Sequence, residues 1–360
     1  MLIFIAKRLF YGIFVLFGVI TIVFFLFNIL PGDPTRMMLG QRTDIASVEA
    51  IQQDLGLNRP VRVQYFNFLN DLSPISWYNR TEREGYWYLD STKYAPFLLL
   101  VKTGENGTLI LKKPYLRRSY QSKRKVTEII STAFPNTAIL ATASILFAMV
   151  VGIGIGIFSA LHKDTVFDRI TLVVSVLGMS VPSFFAAILF AWLFAFVLGD
   201  YTGLNMFGSL YTVDDLGRGE YLDLKNLVLP AFTLGIRPLA VISELTRNSL
   251  LEVLSQDYIR TAYAKGLSRF HVITRHALKN AMNPIVTAIS GWFASLMAGA
   301  VFVEYVFDWK GLGVVIVDAL EQYDFPVIMG AVLFISVILI IINIFTDIIY
   351  GWLDPRVRAT

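Results

Sequence analysis

Long apolar runs alternate with short charged segments along this chain, and the runs have the length a bilayer demands. A hydrocarbon core of roughly 30 Å is crossed by about 20 mostly apolar residues in a helix. Six runs meet that requirement. The first extends from about Leu9 to Leu30 and is closed by the helix-ending Pro31-Gly32-Asp33-Pro34. No small-residue cleavage site follows it, so a retained span is expected and not a signal peptide. The others cover about Ala133 to Leu161, Ile170 to Leu198, Leu227 to Leu245, Pro284 to Phe302 and Val327 to Trp352. The fourth is the least apolar, with Arg237-Pro238 inside it and Glu244 near its end.

Composition agrees with this reading. A mean hydropathy of +0.60 and only 16% charged residues in 360 lie outside the range of soluble domains. The short loops then set the orientation, because Lys and Arg accumulate on the cytoplasmic side. Lys7 and Arg8, then His162, Lys163 and Arg169, then Arg247 through Lys279, then Arg356 and Arg358 fall on one side. Opposite them lie Asp200, Asp214, Asp215, Glu220 and Asp223, and Glu304, Asp308, Asp318, Glu321 and Asp324. Both termini are therefore expected inside. The long segment from Pro31 to Thr132 lies outside, and its basic residues do not weigh against this because the charge rule fails for long loops.

The loop between the fourth and fifth spans departs most from the apolar background. Asp257 to Ile285, DYIRTAYAKGLSRFHVITRHALKNAMNPI, carries seven Lys, Arg or His side chains. Tyr258, Ala262 and Lys265 fall on one helical face with Ile259 and Ala264 near it, Gly266 breaks the run, and a second amphipathic turn follows through Phe270, Ile273 and Leu278. This helix, glycine, helix pattern suits a segment lying on anionic headgroups. It equally suits a helix offered to the groove of a partner protein.

Catalytic chemistry finds no foothold. There is no GxxxxGK[ST] phosphate loop, and the glycine-dense GIGIGIF from Gly152 lies inside the second span, where Gly152 and Gly156 form a small-xxx-small pair for close helix packing. The chain has no cysteine, and its three histidines lack metal-ligand spacing. Arg237 would be costly facing lipid. It either lines a wet passage, favouring carboxylates, or pairs with a carbonyl or carboxylate across a helix interface. Glu244 and Arg247, three apart, read as a local ion pair, and Asp347 reads as a residue that snorkels or caps.

The outside segment contains an aromatic-rich stretch at about Ser73 to Tyr115, within which FLLLVKT and TLILKKP flank GENG. The Asn-Gly turn signal predicts a β-hairpin at about Phe97 to Lys113. The stretch is too short, and too interrupted by Lys102 and Glu105, to be a seventh span. It could serve as a cap on the outer face or as a docking surface.

Nine blocks in order resemble the membrane-spanning permeases of dipeptide and oligopeptide ABC importers, of the "B" type. They are LPGDP (Leu30 to Pro34), DLGLNRPVRVQY (Asp54 to Tyr65), RSYQSKRKVTEII (Arg118 to Ile130), FPNTAIL (Phe134 to Leu140), VPSFF (Val181 to Phe185), LVLPAFTL (Leu227 to Leu234), QDYIRTAYAKGL (Gln256 to Leu267), VEYVFDWKGLG (Val303 to Gly313) and LDPRVR (Leu353 to Arg358). The stretch at 73–115 is longer than the family usually carries there.

The resemblance implies an all-α polytopic membrane protein of the type I ABC-importer fold. It would have six transmembrane helices, both termini inside, and a long extracytoplasmic loop with a small hairpin-like insertion. The parts would be 1–30 (cytoplasmic end and first span), 31–132 (extracytoplasmic loop), 133–353 (permease core, with a cytoplasmic loop at 248–283) and 354–360 (tail). It further implies a coupling helix that docks on an ATPase subunit through Tyr258, Arg260, Thr261, Ala262, Lys265, Gly266 and Arg269. Arg260-Thr261-Ala262 stands where the family's general motif has Glu-Ala-Ala, so a salt bridge built on that Glu is not expected.

Partners implied are a second permease, two ATPase subunits that bind ATP and magnesium, an extracytoplasmic binding protein and the bilayer of a bacterial inner membrane. No cofactor on this chain and no nucleic acid are implied. Similar permeases serve nickel chelates and other small solutes. A proton- or sodium-driven secondary transporter, the rival class, would want midplane ionisable residues on several spans and internal pseudo-symmetry, and neither shows.

Overall fold

The computed structural model describes residues 2–29, 59–81, 87–104, 106–214, 219–298 and 300–353. The stop at Pro31 to Pro34, Asp215, Arg356, Arg358 and the tail 354–360 lie outside them. Helix α1 is Leu2–Ile29, and α2 is Val61–Leu72. Strands β1 (Ile75–Asn79), β2 (Phe97–Thr103) and β3 (Gly107–Lys112) follow. Then come α3 (Val126–Leu161), α4 (Val166–Ser180), α5 (Ser183–Phe190, extended by a π-helical turn, Ala191–Val197) and α6 (Lys225–Leu254). The chain continues with α7 (Asp257–Ala264), α8 (Leu278–Ala298), α9 (Val301–Val306), α10 (Leu312–Glu321) and α11 (Phe325–Leu353).

Four helices among the described residues are long and apolar enough to cross a membrane: Lys7–Phe27, Val126–Leu161, Lys225–Leu254 and Phe325–Ile348. A bent pair, Val166–Ser180 with Ser183–Val197, makes a fifth if it is one span. The protein is thus a helical, multi-pass membrane protein.

Two sequence expectations need correction here. The third run is not one straight helix but two arms with a bend of 107° between them. Pro182 has no N–H to donate, and its ring drives the preceding residue out of the helical region. Val181 accordingly sits at φ −75°, ψ 126°. The fifth run, expected from Pro284, begins earlier as α8 at Leu278 and ends at Ala298. Lys279, Asn280 and Asn283 in its first turns leave it outside the set of strongly apolar helices.

The chain divides into two compact units, residues 1–10, 133–314 and 335–360 in one and 11–132 and 315–334 in the other. In the second unit α2 lies on α1: Phe24 and Phe68 are almost fully buried with Val23, Met329 and Leu333, and Tyr65 Oη meets Thr21 Oγ1 at 2.7 Å. The strands form an antiparallel sheet in the order β1-β3-β2. Gly107 opens β3 where a Cβ would fall 2.9 Å from Trp77 Nε1. The central strand buries Ile110 against Tyr78 and Tyr94, whereas edge strand β2 leaves Leu98, Leu99, Leu100 and Val101 exposed.

Asp71, at the end of α2, gathers the sheet to the helix. It accepts from Tyr94 Oη (2.6 Å) and Arg117 Nε (3.2 Å), while Lys112 Nζ donates to its backbone oxygen at 2.6 Å. Burial drives the Lys112 ammonium down to about 8, against the pull of Asp71, and lowers Lys93 for the same reason.

In the first unit, α3 and α6 approach closely because glycines face the contact. A Cβ at Gly156 would lie 2.6 Å from Ser243 O, and one at Gly152 2.9 Å from Leu239 O, while Gly154 between them has open space. The small-xxx-small pair therefore packs helix on helix. The VEYVFDWKGLG segment is a buried knot. Trp309 is fully buried and its Nε1 donates to Asn136 O at 2.9 Å, and Gly313 N donates to the buried Glu304 Oε2 at 2.6 Å. A Cβ at Gly313 would sit 2.5 Å from Val301 Cα, so that position has no room for a side chain. Asp347, expected to snorkel or cap, pairs with Arg8, its Oδ2 lying 3.0 Å from Arg8 Nε.

Candidate functional site

The basic loop folds as α7, a turn at Gly266 and a return into α8. Gly266 has φ +79°, a left-handed conformation that costs an ordinary residue about 1–2 kcal/mol, and this turn redirects the chain. Ser268 Oγ then accepts from His271 N at 3.4 Å, starting the short helix Arg269–His271. A π-helical turn, Val272–Ala277, leads into α8.

The two faces of α7 do different work. Ile259 and Ala262 are buried, at 1% and 7% exposure, in an apolar cluster with Ala160, Leu250, Val272, Ala277 and Ala281. They fasten α7 to its own chain. Tyr258, Arg260, Thr261, Tyr263, Lys265, Gly266 and Arg269 are exposed. Ala262, expected among the contact residues, is largely covered by its own chain in this cluster. Its single methyl is covered where the longer Tyr258, close to it around the helix, reaches past the cluster to accept from Asn280 Nδ2 at 2.9 Å. Phe270, expected on an inward amphipathic turn, is 77% exposed. The Arg260–Asp257 pair, 3.4 Å apart with both side chains largely in solvent, adds little.

Behind this surface lies a charged anchor that sequence reading missed. Arg247 does not pair with Glu244. Its guanidinium takes Asp168 in a fork, Nε to Oδ1 at 2.5 Å and Nη2 to Oδ2 at 2.7 Å. Asp168 also accepts from Asp164 N at 3.0 Å and from Ser159 Oγ. A planar fork on a buried carboxylate satisfies both groups better than an i,i+3 contact on one helix. Asp168 is only 1% exposed, and the set ties α3, α4 and α6 together beside the cluster that holds α7. The available signal was the lone acid, Asp168, among the apolar residues of VFDRI, beside Arg169.

Arg237 lies on α6 and borders a cavity of about 580 Å³ between α4, α5 and α6. It is exposed and makes no hydrogen bond or ion pair among the described residues. No described residue supplies the carbonyl or carboxylate partner that a scaffold role would use. Phe185 and Phe190 of α5 and Phe232 of α6 also line it, and Ser243 further along α6 is among its bordering residues, with a buried Oγ that has no hydrogen-bond partner among the described residues.

Comparison with known proteins agrees with this architecture. The family described as "Binding-protein-dependent transport system inner membrane component" matches residues 152–359, and its N-terminal counterpart matches residues 1–80. The dipeptide transport system permease protein DppB of Alkalihalophilus pseudofirmus is 31% identical, over 99% of this chain and 100% of that protein. The di/tripeptide permease DppB of Pseudomonas aeruginosa is 34% identical over 99% of each chain. The glutathione permease GsiC of Pectobacterium atrosepticum is also 34% identical over 99% of each. Among solved structures, an inward-facing MetNI methionine ABC transporter chain superposes with TM-score 0.51 at 14% identity, covering 63% of this chain and 97% of that one, a likeness of fold. The chain belongs to the family of inner membrane components of binding-protein-dependent transport systems.

Proposed function

We propose that this chain is one membrane-spanning half of an ATP-driven importer of peptides. The observation that carries the reading is the end-to-end match to relatives named as dipeptide, di/tripeptide and glutathione permeases. Those names favour peptides over nickel chelates. The chain crosses a bacterial inner membrane six times with both ends inside. Residues 31–132 form its extracytoplasmic part and 133–353 its permease core. It pairs with a second permease, receives cargo from a binding protein, and relies on two ATPase subunits for ATP and magnesium.

Force passes through α7. Its outward face, Tyr258, Arg260, Thr261 and Lys265 with Gly266 and Arg269 beyond the helix, occupies the ATPase groove. The inward face, Ile259 and Ala262, transmits movement to α3 and α8 through the shared cluster. An amphipathic helix this short suits such a mode because a partner groove reads only a few side chains. The experiment is to replace Arg260→Glu together with Lys265→Glu in the assembled complex. Stimulation of ATP hydrolysis by binding protein and peptide should fall at least tenfold while membrane insertion and subunit yield hold. Undiminished stimulation would reduce the loop to a membrane-surface segment.

A further inference from the structure

We propose that the outward face of the β1-β3-β2 sheet rests on the bilayer at the Ile29 end of α1, with its apolar side chains among acyl chains and the basic residues around it on anionic headgroups. The pairing register puts Ile75, Leu111 and Leu98 in one row across the strands and Trp77, Leu109 and Val101 in the next. All six stand on the face opposite the one that buries Ser76, Tyr78, Ile110 and Lys112. A sheet with one face on the core ordinarily turns polar side chains outward. Here Leu98 is 66% exposed, Val101 59%, Ile75 54%, Leu111 39% and Trp77 37%. Trp87, itself exposed, meets Trp77 edge-on at 5.6 Å. An exposed apolar face of this kind marks an interaction surface, and tryptophan favours the membrane interface.

Two observations identify the cover as lipid. The first is continuity with the membrane-facing surface of the same unit. Tyr65 of α2 stacks on Phe25 of α1 at 5.4 Å and its hydroxyl meets Thr21, so α2 lies beside the last two turns of the apolar span Lys7–Phe27. Phe25 and Leu26 are exposed there, as is Phe66 next to Tyr65. One turn beyond Phe66, Asn70 Nδ2 donates to Trp77 O at 3.2 Å, and Asp71 ties Tyr94 and Lys112 to the end of the same helix. The sheet is thus fastened to a helix held at the edge of the bilayer. The second observation is charge. Residues 73–125 hold eleven Lys or Arg against four Asp or Glu. Every exposed charged side chain among the described residues of that stretch is basic: Arg80, Lys102, Lys113, Arg118, Lys123 and Arg124. Lys102 pairs with Thr108 and so stands on the other face, which leaves the outward face of the strands without charge. An uncharged apolar face in a basic segment is the pattern of interfacial segments on anionic lipid. The contact requires α1 to cross the bilayer and is independent of cargo and partner subunits.

The test uses the assembled complex, with any cysteines of the partner subunits replaced, in nanodiscs of phosphatidylcholine containing about one-third phosphatidylglycerol. Nitroxide labels at Leu98→Cys, Leu111→Cys and Asn106→Cys, one at a time, report access of oxygen, which partitions into lipid, and of a water-soluble nickel chelate. The oxygen-to-nickel ratio at 98 and 111 should exceed that at the exposed turn residue 106 by about fivefold or more. It should fall by about twofold or more in phosphatidylcholine alone, and likewise in the Lys102→Glu, Lys113→Glu variant. Nickel access at 98 and 111 equal to that at 106 would overturn the docking. Exclusion of both reagents would also overturn it, because a partner subunit would then cover the face, and loss of oxygen access on adding the binding protein would give the face to that protein. A ratio indifferent to lipid charge and to both Lys→Glu changes would refute the headgroup contact.

Discussion

Replacing Arg247 by methionine should destabilise the permease far more than replacing Arg247 and Asp168 together. The Asp168 carboxylate holds four donors: two from the Arg247 fork, Asp164 N and Ser159 Oγ. Arg247→Met removes half of them and, among the described residues, the one opposite charge paired with Asp168, leaving a carboxylate that is 1% exposed. Breaking a buried pair on one side costs about 3–5 kcal/mol. The two remaining donors place this case near the lower end, at roughly 3 kcal/mol. Asp168→Asn with Arg247→Met leaves no charge to strand and should cost only about 1 kcal/mol; since Asp168→Asn alone carries its own cost, the two sites are coupled by at least about 2 kcal/mol. Reversible unfolding of the purified chain in mixed micelles titrated with SDS measures all four corners of this cycle. Proton exchange at residues 257–264 should rise in Arg247→Met, because in the α7 cluster Ala160 follows Ser159 directly and Leu250 lies three residues, about one helical turn, beyond Arg247. Single-mutant costs that simply add, within about 0.5 kcal/mol, would refute the idea that this pair is the anchor.

Gly156→Leu should cost several kcal/mol and disrupt α3–α6 packing, whereas Gly154→Leu should leave stability within about 0.5 kcal/mol, since only the former meets Thr246 and Ser243; the same SDS titration distinguishes them. The sheet should gain stability as pH rises from about 8 to the ordinary lysine value of 10.5, because over that window Lys112 has released its proton when folded but holds it when unfolded. Urea-dependent thiol labelling at Ile110→Cys, normalised to exposed Asn106→Cys, reads this, and Lys112→Met should flatten the rise. In sealed cells an impermeant thiol reagent should label Asn106→Cys but neither Lys163→Cys nor Ser268→Cys; labelling at either of the latter would overturn the proposed topology.

What could be read from sequence was whatever is local. Apolar runs announce spans because hydropathy is summed along the chain, and the Asn106-Gly107 turn with its flanking apolar residues occupies the strands β2 and β3. The break at Val181-Pro182 was masked by the apolar residues on both sides. Glu244 was given to Arg247 by proximity in sequence, but Asp168, 79 residues away, offers the better geometry. Tyr258 and Ala262 share a helical face by periodicity, and side-chain length separates them: the apolar cluster covers the Ala262 methyl, while the Tyr258 phenol extends to Asn280 and stays exposed. Strand β1 carried too short and mixed a pattern, ISWYN, to be recognised before its pairing with β3.

The central claim is that the outward face of α7 sits in an ATPase subunit, and the cysteine-free chain allows a direct test. Lys265→Cys, Tyr263→Cys and Ala262→Cys would each carry a maleimide–diazirine crosslinker in the assembled complex, with photoproducts identified by mass. The account predicts capture of the ATPase subunit from positions 265 and 263, with none from the buried position 262. Capture from 262 alone, or only lipid adducts from 263 and 265, would contradict it.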